Sequence, residues 1–321
     1  MSFIKERILD PQLIPPSLWD PETDTLHIPR PLADAYVGLI NQLGLQQLAS
    51  ARDPKNPPVG GMTQEKTDQH FAQAFDGSVA RAQLALLDPK SNATAASNAY
   101  LGVLAGNTLC LTDAPCGAGA AAFSFLANIA QLRAEGVLPR LPLDVFLIGA
   151  ELSEPARIHA QALLDELLQK FEEHAIFVSY EFVSWNVTSA LSNTDLIQRM
   201  TLNSARTSHR LLVVANFNGF LEKERKRKEA EPQIEELFRH ESGANSVAVW
   251  IKPDMNRATD DGGLFSWLRS FADRWKSFFR ELSSSNEPIP TSSAFFQLPS
   301  APEEKAAVRL AVMPISLERG Q

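Results

Sequence analysis

Apolar residues are distributed differently in the two parts of the chain. From residue 109 onward, short apolar runs at 109–112, 145–150, 176–183, 211–215 and 247–251 contain few polar residues, the pattern of strands buried on both faces. Between them lie longer stretches, 120–135, 155–173, 193–204 and 222–240, whose apolar positions recur at helical spacing. Such alternation predicts five βα units and a parallel sheet covered on both sides. The end of the chain departs from this rhythm. A helix over 264–282, with Leu264, Leu268, Phe271, Trp275, Phe278 and Leu282 in one stripe, precedes two runs at 294–298 and 308–315. Only the short loop 299–305 joins those runs, too little for a crossover, so they are expected to pair as an antiparallel hairpin. The predicted fold class is α/β, a Rossmann-like sheet of about seven strands, mostly parallel with a C-terminal antiparallel hairpin.

Upstream, Pro11, Pro15, Pro16, Pro21, Pro29 and Pro31 interrupt the chain and allow one helix, 32–48. Residues 1–61 therefore read as a proline-rich arm wrapped over the rest, with Trp19 expected to pack on the main domain and 53–61 as a linker. Phe71, Phe75, Val79, Leu84 and Leu87 predict a helix over 63–87, bent or divided at Asp76-Gly77, and a second helix is predicted over 93–104. The expected organisation is an arm (1–61), N-terminal helices on the core (62–107) and one α/β domain (108–321).

At 321 residues, 44% hydrophobic and 21% charged, the chain matches an ordinary soluble globular protein with ample core. A net charge of -8 excludes a surface that grips nucleic acid throughout, while leaving room for a local basic patch. Cys110 and Cys116, on either side of a tight turn, are poor geometry for a disulfide framework, and a reducing, cytoplasmic setting is expected. No apolar run approaches the ~20 residues of a membrane span, and the N-terminus lacks a signal-peptide core. The glycosylation-like triplets at Asn92 and Asn186 arise often by chance.

Candidate chemistry concentrates at strand ends. The first run leads through Asp113-Ala-Pro-Cys-Gly-Ala-Gly119 directly into a helix. Glycines there let the chain turn tightly and let a ligand approach the backbone beside a helix N-terminus. The second run ends at Glu151-Leu152, and a carboxylate at that tip can accept hydrogen bonds from both hydroxyls of a ribose. It could equally cap the next helix, which Ser153 and Glu154 already suit. The third run ends at Trp185-Asn186, and the fourth at Asn216-Phe217.

The stretch Asp113–Gly119 resembles motif I of class I S-adenosylmethionine (SAM) dependent methyltransferases, in the version with Pro115 in place of the first glycine. That resemblance implies SAM as cofactor and a seven-stranded methyltransferase sheet. It implies Gly117 and Gly119 against the methionine moiety and Asp113 orienting its amino group, with Pro115, Cys116 and Ala118 completing the turn. It further implies Glu151 on the ribose with Leu152 beside it, and Asn186 and Trp185 at the adenine, where a turn-forming Asn and a buried Trp explain them as well. Asn216-Phe217 is similar to the Asn-Pro-Pro-Tyr type motif of amine methylases without its prolines, implying a catalytic role for both residues, a contact of Asn216 with the cofactor, and a nitrogen acceptor in nucleic acid or protein. No metal is implied. Cys116 sits in the cofactor turn and not after the fourth strand, which argues against a nucleophile. His209 and His240 are read as surface or capping residues.

Lys223, Arg225, Lys226, Arg227 and Lys228 form the sharpest charge feature, read either as a contact to nucleic-acid phosphates or as a solvated helix paired with interspersed glutamates. Phe265 and Trp267 lie off the apolar stripe and could cover a substrate or partner. The competing function is a methyltransferase-like scaffold that binds SAM or a partner protein, the latter through the N-terminal arm. A nicotinamide-dependent oxidoreductase is disfavoured by the missing third glycine of G-x-G-x-x-G and by the terminal hairpin.

Overall fold

The computed structural model describes residues 6–53, 58, 60–217, 221, 226–253 and 289–317. Its described strands are β1 (Trp19–Asp20), β2 (Thr25–Leu26), β3 (Thr108–Asp113), β4 (Leu143–Ala150), β5 (Ile176–Val183), β6 (His209–Ala215), β7 (Ser246–Pro253), β8 (Thr291–Leu298) and β9 (Ala301–Ser316). They form one sheet in the order β1-β2-β8-β9-β7-β6-β3-β4-β5. Strands β3 to β7 are mutually parallel, and β9 runs antiparallel to both β7 and β8. This is the α/β layout expected, five parallel strands closed by a C-terminal antiparallel hairpin.

Nine described strands replace the expected seven because the proline-rich arm contributes two. Thr25 and Leu26 pair in parallel with Phe295 and Phe296, which covers the edge that β8 would otherwise leave open. The arm also enters the core: Leu18, Leu26, Leu32 and Tyr36 are fully enclosed, and Trp19 is buried with them.

The helices are α1 (Arg30–Gln42), α2 (Gln46–Ser50), α3 (Gln64–Leu87), α4 (Thr94–Gly102), α5 (Ala120–Ala134), α6 (Glu154–Glu172), α7 (Ala190–Ser204) and α8 (Arg227–Glu241). Alternate strand residues point to opposite faces of the sheet. Leu109, Leu111, Leu211, Val213 and Val249 therefore join Phe71, Phe123, Phe125 and Leu164 of α3, α5 and α6 in one core. Cys110, Leu212, Val214 and Trp250 join Leu196, Met200, Ile234 and Phe238 of α7 and α8 in the other. No described helix is long and apolar enough to cross a membrane.

Several local expectations are corrected. The helix predicted over 32–48 is two helices, because Gly44 takes a left-handed conformation (φ +68) and ends the first. Asp76-Gly77 does not divide α3, which runs unbroken from Gln64 to Leu87: Arg52 Nη2 donates to both carboxylate oxygens of Asp76 at 2.6 and 2.7 Å, and Phe71, Phe75 and Val79 are buried around it. The loop expected at 299–305 is mostly strand, since β9 begins at Ala301. Its first residues are exposed on both sides, so no apolar alternation marks them. His209 is buried and not a surface residue; Gly106 leaves the space for its ring, and a Cβ there would lie 2.3 Å from His209 Nδ1. His240 is half exposed, with its Nε2 3.4 Å from Glu236 Oε2. The predicted helix over 264–282, with Phe265 and Trp267, lies outside the described residues.

Candidate functional site

Between β3 and β6 the chain order reverses: β4 and β5 follow on one side of this pair and β7 on the other. In open α/β sheets that reversal, at the carboxyl ends of the strands, leaves a crevice for ligands. Backbone hydrogen bonds draw the strand tips together there: Ala114 N donates to Val213 O at 3.0 Å, Cys116 N to Ala150 O at 2.9 Å, Glu151 N to Val183 O at 3.0 Å, and Asn216 N to Ile251 O at 2.9 Å.

Asp113 ends β3 and is buried. One carboxylate oxygen, Oδ2, accepts from Ala122 N in the first turn of α5 at 3.1 Å. The other, Oδ1, is enclosed and meets no donor. Such an orphaned acceptor costs roughly 1–3 kcal/mol, a debt that a donor arriving in the crevice can cancel. Burial pushes this carboxyl up to about 7, against the Ala122 hydrogen bond and helped by the nearby charge of Glu151.

The turn that follows leaves room. Gly117 is left-handed (φ +54), and a Cβ on it would meet nothing within 4 Å, so the backbone faces open space. Gly119 is also left-handed (φ +83), but a Cβ there would lie 2.3 Å from the Phe123 ring, so this glycine serves close packing of the turn on α5. Pro115 and Ala118 are half-buried along the same turn. Cys116 is buried, and burial holds its thiol well above the usual range, with Asp113 and Glu151 adding to the effect. A thiol so held does not supply a thiolate.

Glu151 lies across the crevice from that turn. Its Oε2 accepts from Gly117 N at 3.1 Å and its Oε1 from Ser153 N at 2.8 Å. Burial raises its carboxyl above the ordinary range, and those N–H donors oppose the rise. A carboxylate has about four acceptor positions, so each oxygen retains one for a hydroxyl pair. The alternative, that Glu151 caps the following helix, is corrected: Ser153 caps α6, its Oγ accepting from Ala156 N, and Glu151 holds the backbone N–H of that cap residue. Arg157 Nη1 donates to the carbonyls of Glu151 and Leu152 and fixes the half-exposed Leu152 beside it.

The next strand tips behave differently. Trp185 is buried, donates from Nε1 to Asn193 Oδ1 at 3.2 Å, and packs against Phe217 with ring centroids 6.2 Å apart. Asn186 Oδ1 accepts from Thr188 N at 3.0 Å and Thr188 Oγ1 at 2.9 Å. With both lone pairs engaged, that oxygen has nothing left for an adenine amino group, and the turn-forming reading accounts for Asn186. Phe217 belongs to the core under α7 and α8, so the structure does not bring it to the crevice. Asn216 does stand there, in a left-handed conformation (φ +57) that asparagine tolerates better than other side-chain-bearing residues.

Sequence reasoning missed the group that Asn216 meets. Arg81 Nε, from α3, donates to Asn216 Oδ1 at 2.8 Å, and Arg81 Nη2 donates to Ser78 Oγ at 3.2 Å. Burial lowers its guanidinium to about 10 against the attraction of Asp76. The signal was present on α3: His70, Ala74, Gly77 and Arg81, spaced four, three and four apart, are half open on a helix otherwise buried through this stretch. Of the basic run, Lys223 and Arg225 lie outside the described residues. Lys226 pairs with Glu229 at 3.1 Å and Arg227 with Glu231 at 2.8 Å, the solvated-helix arrangement, and Lys228 is exposed. Among the described residues no group of three His, Cys, Asp or Glu is placed to hold a metal ion.

The chain matches no family model and no curated protein. Among solved structures it is similar to one provisionally named a class I S-adenosylmethionine-dependent methyltransferase, from Listeria monocytogenes. The two are 12% identical over 90% of this chain and 87% of that one, with a TM-score of 0.35. At that distance the likeness speaks neither to ligand nor to activity.

Proposed function

We propose that this protein is a SAM-dependent methyltransferase. The observation that carries the reading is the orphaned Asp113 Oδ1, enclosed at the strand-order reversal beside the open backbone of Gly117. The residues present fit three parts of the cofactor. Asp113 offers an unmatched acceptor for an ammonium, the Gly117 turn offers space for the chain between, and Glu151 offers two remaining acceptor positions for ribose hydroxyls. Leu152, half exposed next to Glu151, is the apolar neighbour available to the adenine ring.

When bound, SAM supplies an electrophilic methyl group on a sulfonium. In-line displacement from a sulfonium depends chiefly on proximity and alignment, which the protein provides by holding the acceptor. Asn216 is the residue placed to do so. Its Oδ1 already accepts from Arg81 and retains one lone pair, which suits the N–H of a nitrogen acceptor. The left-handed backbone at Asn216, fixed by its hydrogen bond to Ile251 O, sets the direction of that side chain. Neither a metal nor a strong general base is required by this chemistry.

Incubation of the full chain with methyl-labelled SAM and a cell extract tests the assignment. Label is expected in an acceptor fraction with the native protein and at strongly reduced level with Asp113→Asn. Label transfer that is the same with and without the protein would overturn it.

A further inference from the structure

The first turn of α3 meets the start of α6 beside the carboxylate assigned to the ribose, and a chain of hydrogen bonds joins them. Thr67 Oγ1 donates its single proton to Gly61 O at 3.1 Å. Thr67 Oγ1 and Ser153 Oγ are 3.1 Å apart, and with the Thr67 proton committed, Ser153 is the donor between them. Ser153 Oγ in turn accepts from Ala156 N at 3.4 Å and so caps α6. Ser153 N donates to Glu151 Oε1 at 2.8 Å. Each of the two hydroxyls is thus used once as donor and once as acceptor, and the chain ends on Glu151. Thr67 and Ser153 are both buried, so bulk water does not replace a partner that is lost.

A cap residue stands outside the helical ladder, so its backbone direction follows from the contacts that hold it. For Ser153 those contacts are Ala156 N and Thr67 on the side chain and Glu151 on the backbone N–H. Thr67 therefore sets the direction from which Glu151 Oε1 is held, while Gly117 N holds Oε2 at 3.1 Å from across the crevice. We propose that Thr67 is a positioning residue of the cofactor site, which through Ser153 keeps the Glu151 carboxylate in the orientation that meets the ribose hydroxyls. The role rests on the methyltransferase reading. It also gives α3, which precedes the first parallel strand, a part in binding the cofactor. A second tie joins the same two helices: His159 Nε2 lies 2.7 Å from Asp68 Oδ1, more than a turn beyond Ser153 along α6. That tie engages neither Ser153 nor Glu151, so it separates holding the helices together from aiming the carboxylate.

Calorimetric titration of SAM into the full chain and its variants tests this role. Thr67→Val, which keeps the shape and removes the hydroxyl, should weaken SAM binding about threefold to tenfold, and Thr67→Ser should restore it to within about twofold of native. In a Glu151→Ala background the same Thr67→Val change should shift affinity by no more than about twofold, because Thr67 acts through that carboxylate. Asp68→Ala, which breaks the second tie, should lower the melting temperature by a few degrees and leave SAM affinity within about twofold. Ser153→Ala removes the link from its other end and serves where Thr67→Val does not fold, with the same weakening expected. Native affinity in Thr67→Val, or in Ser153→Ala where it stands in, overturns the positioning role and leaves the methyltransferase reading intact. So does an undiminished effect of Thr67→Val without Glu151, or an equal loss of affinity in Asp68→Ala, since loosening α3 on α6 would then suffice. No SAM binding to the native chain overturns that reading, and the role of Thr67 with it.

Discussion

Asp113 holds its carboxyl where water does not reach, with a donor for only one of its two oxygens. The consequences can be followed through pH. Burial raises the folded-state value to about 7, above the roughly 3.9 of an unfolded chain. Between those values the folded chain keeps a proton that the unfolded chain has lost, so the stability this group contributes falls as pH rises through the window. An ammonium prefers the ionised carboxylate, so ligand binding below about pH 7 must release the proton. SAM affinity is therefore expected to strengthen as pH rises from about 5 to about 7, by at most about tenfold per unit, and to level off above. Calorimetric titrations across this range should show the slope in the native protein and a weaker, flatter response in Asp113→Asn. An affinity that does not change with pH in the native protein would contradict the role given to this carboxyl.

At the scale of elements, α3 is the helix on which the crevice and the core meet. Its buried face carries Phe71, Phe75 and Val79, and its half-open face carries the His70 to Arg81 stripe. Gly77 lies within this helix, where glycine costs about 0.5–1 kcal/mol relative to alanine. A Cβ there would sit 3.8 Å from Phe296 Cζ and 4.0 Å from Arg81 Nη1, ordinary contacts that demand no rearrangement. Gly77→Ala should therefore raise stability by about 0.5–1 kcal/mol, seen as a melting temperature higher by a few degrees. A lowered melting temperature would show that the Arg81 seat is tighter than this geometry implies. Elements of this kind were largely legible in the sequence. Strands β3, β4, β6 and β7 came from continuous apolar runs, and the hairpin of β8 and β9 came from the short connection between two such runs; β5 was expected to be buried on both faces, but it stands at the edge of the sheet and only Ile176 and Val183 at its ends are buried. The residues Asp113, Gly117, Glu151 and Asn216 were legible too, because each sits where an apolar run stops. What escaped was non-local. Thr25 and Leu26 pair locally with Asp20 and Trp19, but what joins them to the sheet is their pairing with Phe295 and Phe296, which no window around them reveals. Arg81 lies 135 positions from Asn216, so their contact follows from the packing of α3 and not from any spacing. Trp185 and Phe217 were read as candidates at strand tips, but the turn at each tip directs the ring into the core under α7 and α8.

On the scale of the whole molecule, one sheet joins the proline-rich arm to the parallel strands. Because Leu18, Leu26 and Tyr36 share a core with Phe123 and Leu211, the arm supports the same body that carries the crevice. The four strand tips are held by backbone hydrogen bonds between neighbouring strands, so the distances among Asp113, Gly117 and Glu151 are properties of the sheet and not of mobile side chains. The walls of a pocket fixed in this way are pre-organised, and the rearrangement that binding needs is the local opening by which a ligand's ammonium reaches the enclosed Asp113 Oδ1. Titration of SAM into the full native chain and into Glu151→Ala, followed by calorimetry, tests that pocket most directly. One molecule is expected to bind per chain, with an affinity lowered about tenfold or more in the variant, the effect of removing charge-assisted ribose contacts worth roughly 1.5–3 kcal/mol. No heat of binding in the native protein, or equal affinity in the two, would contradict it.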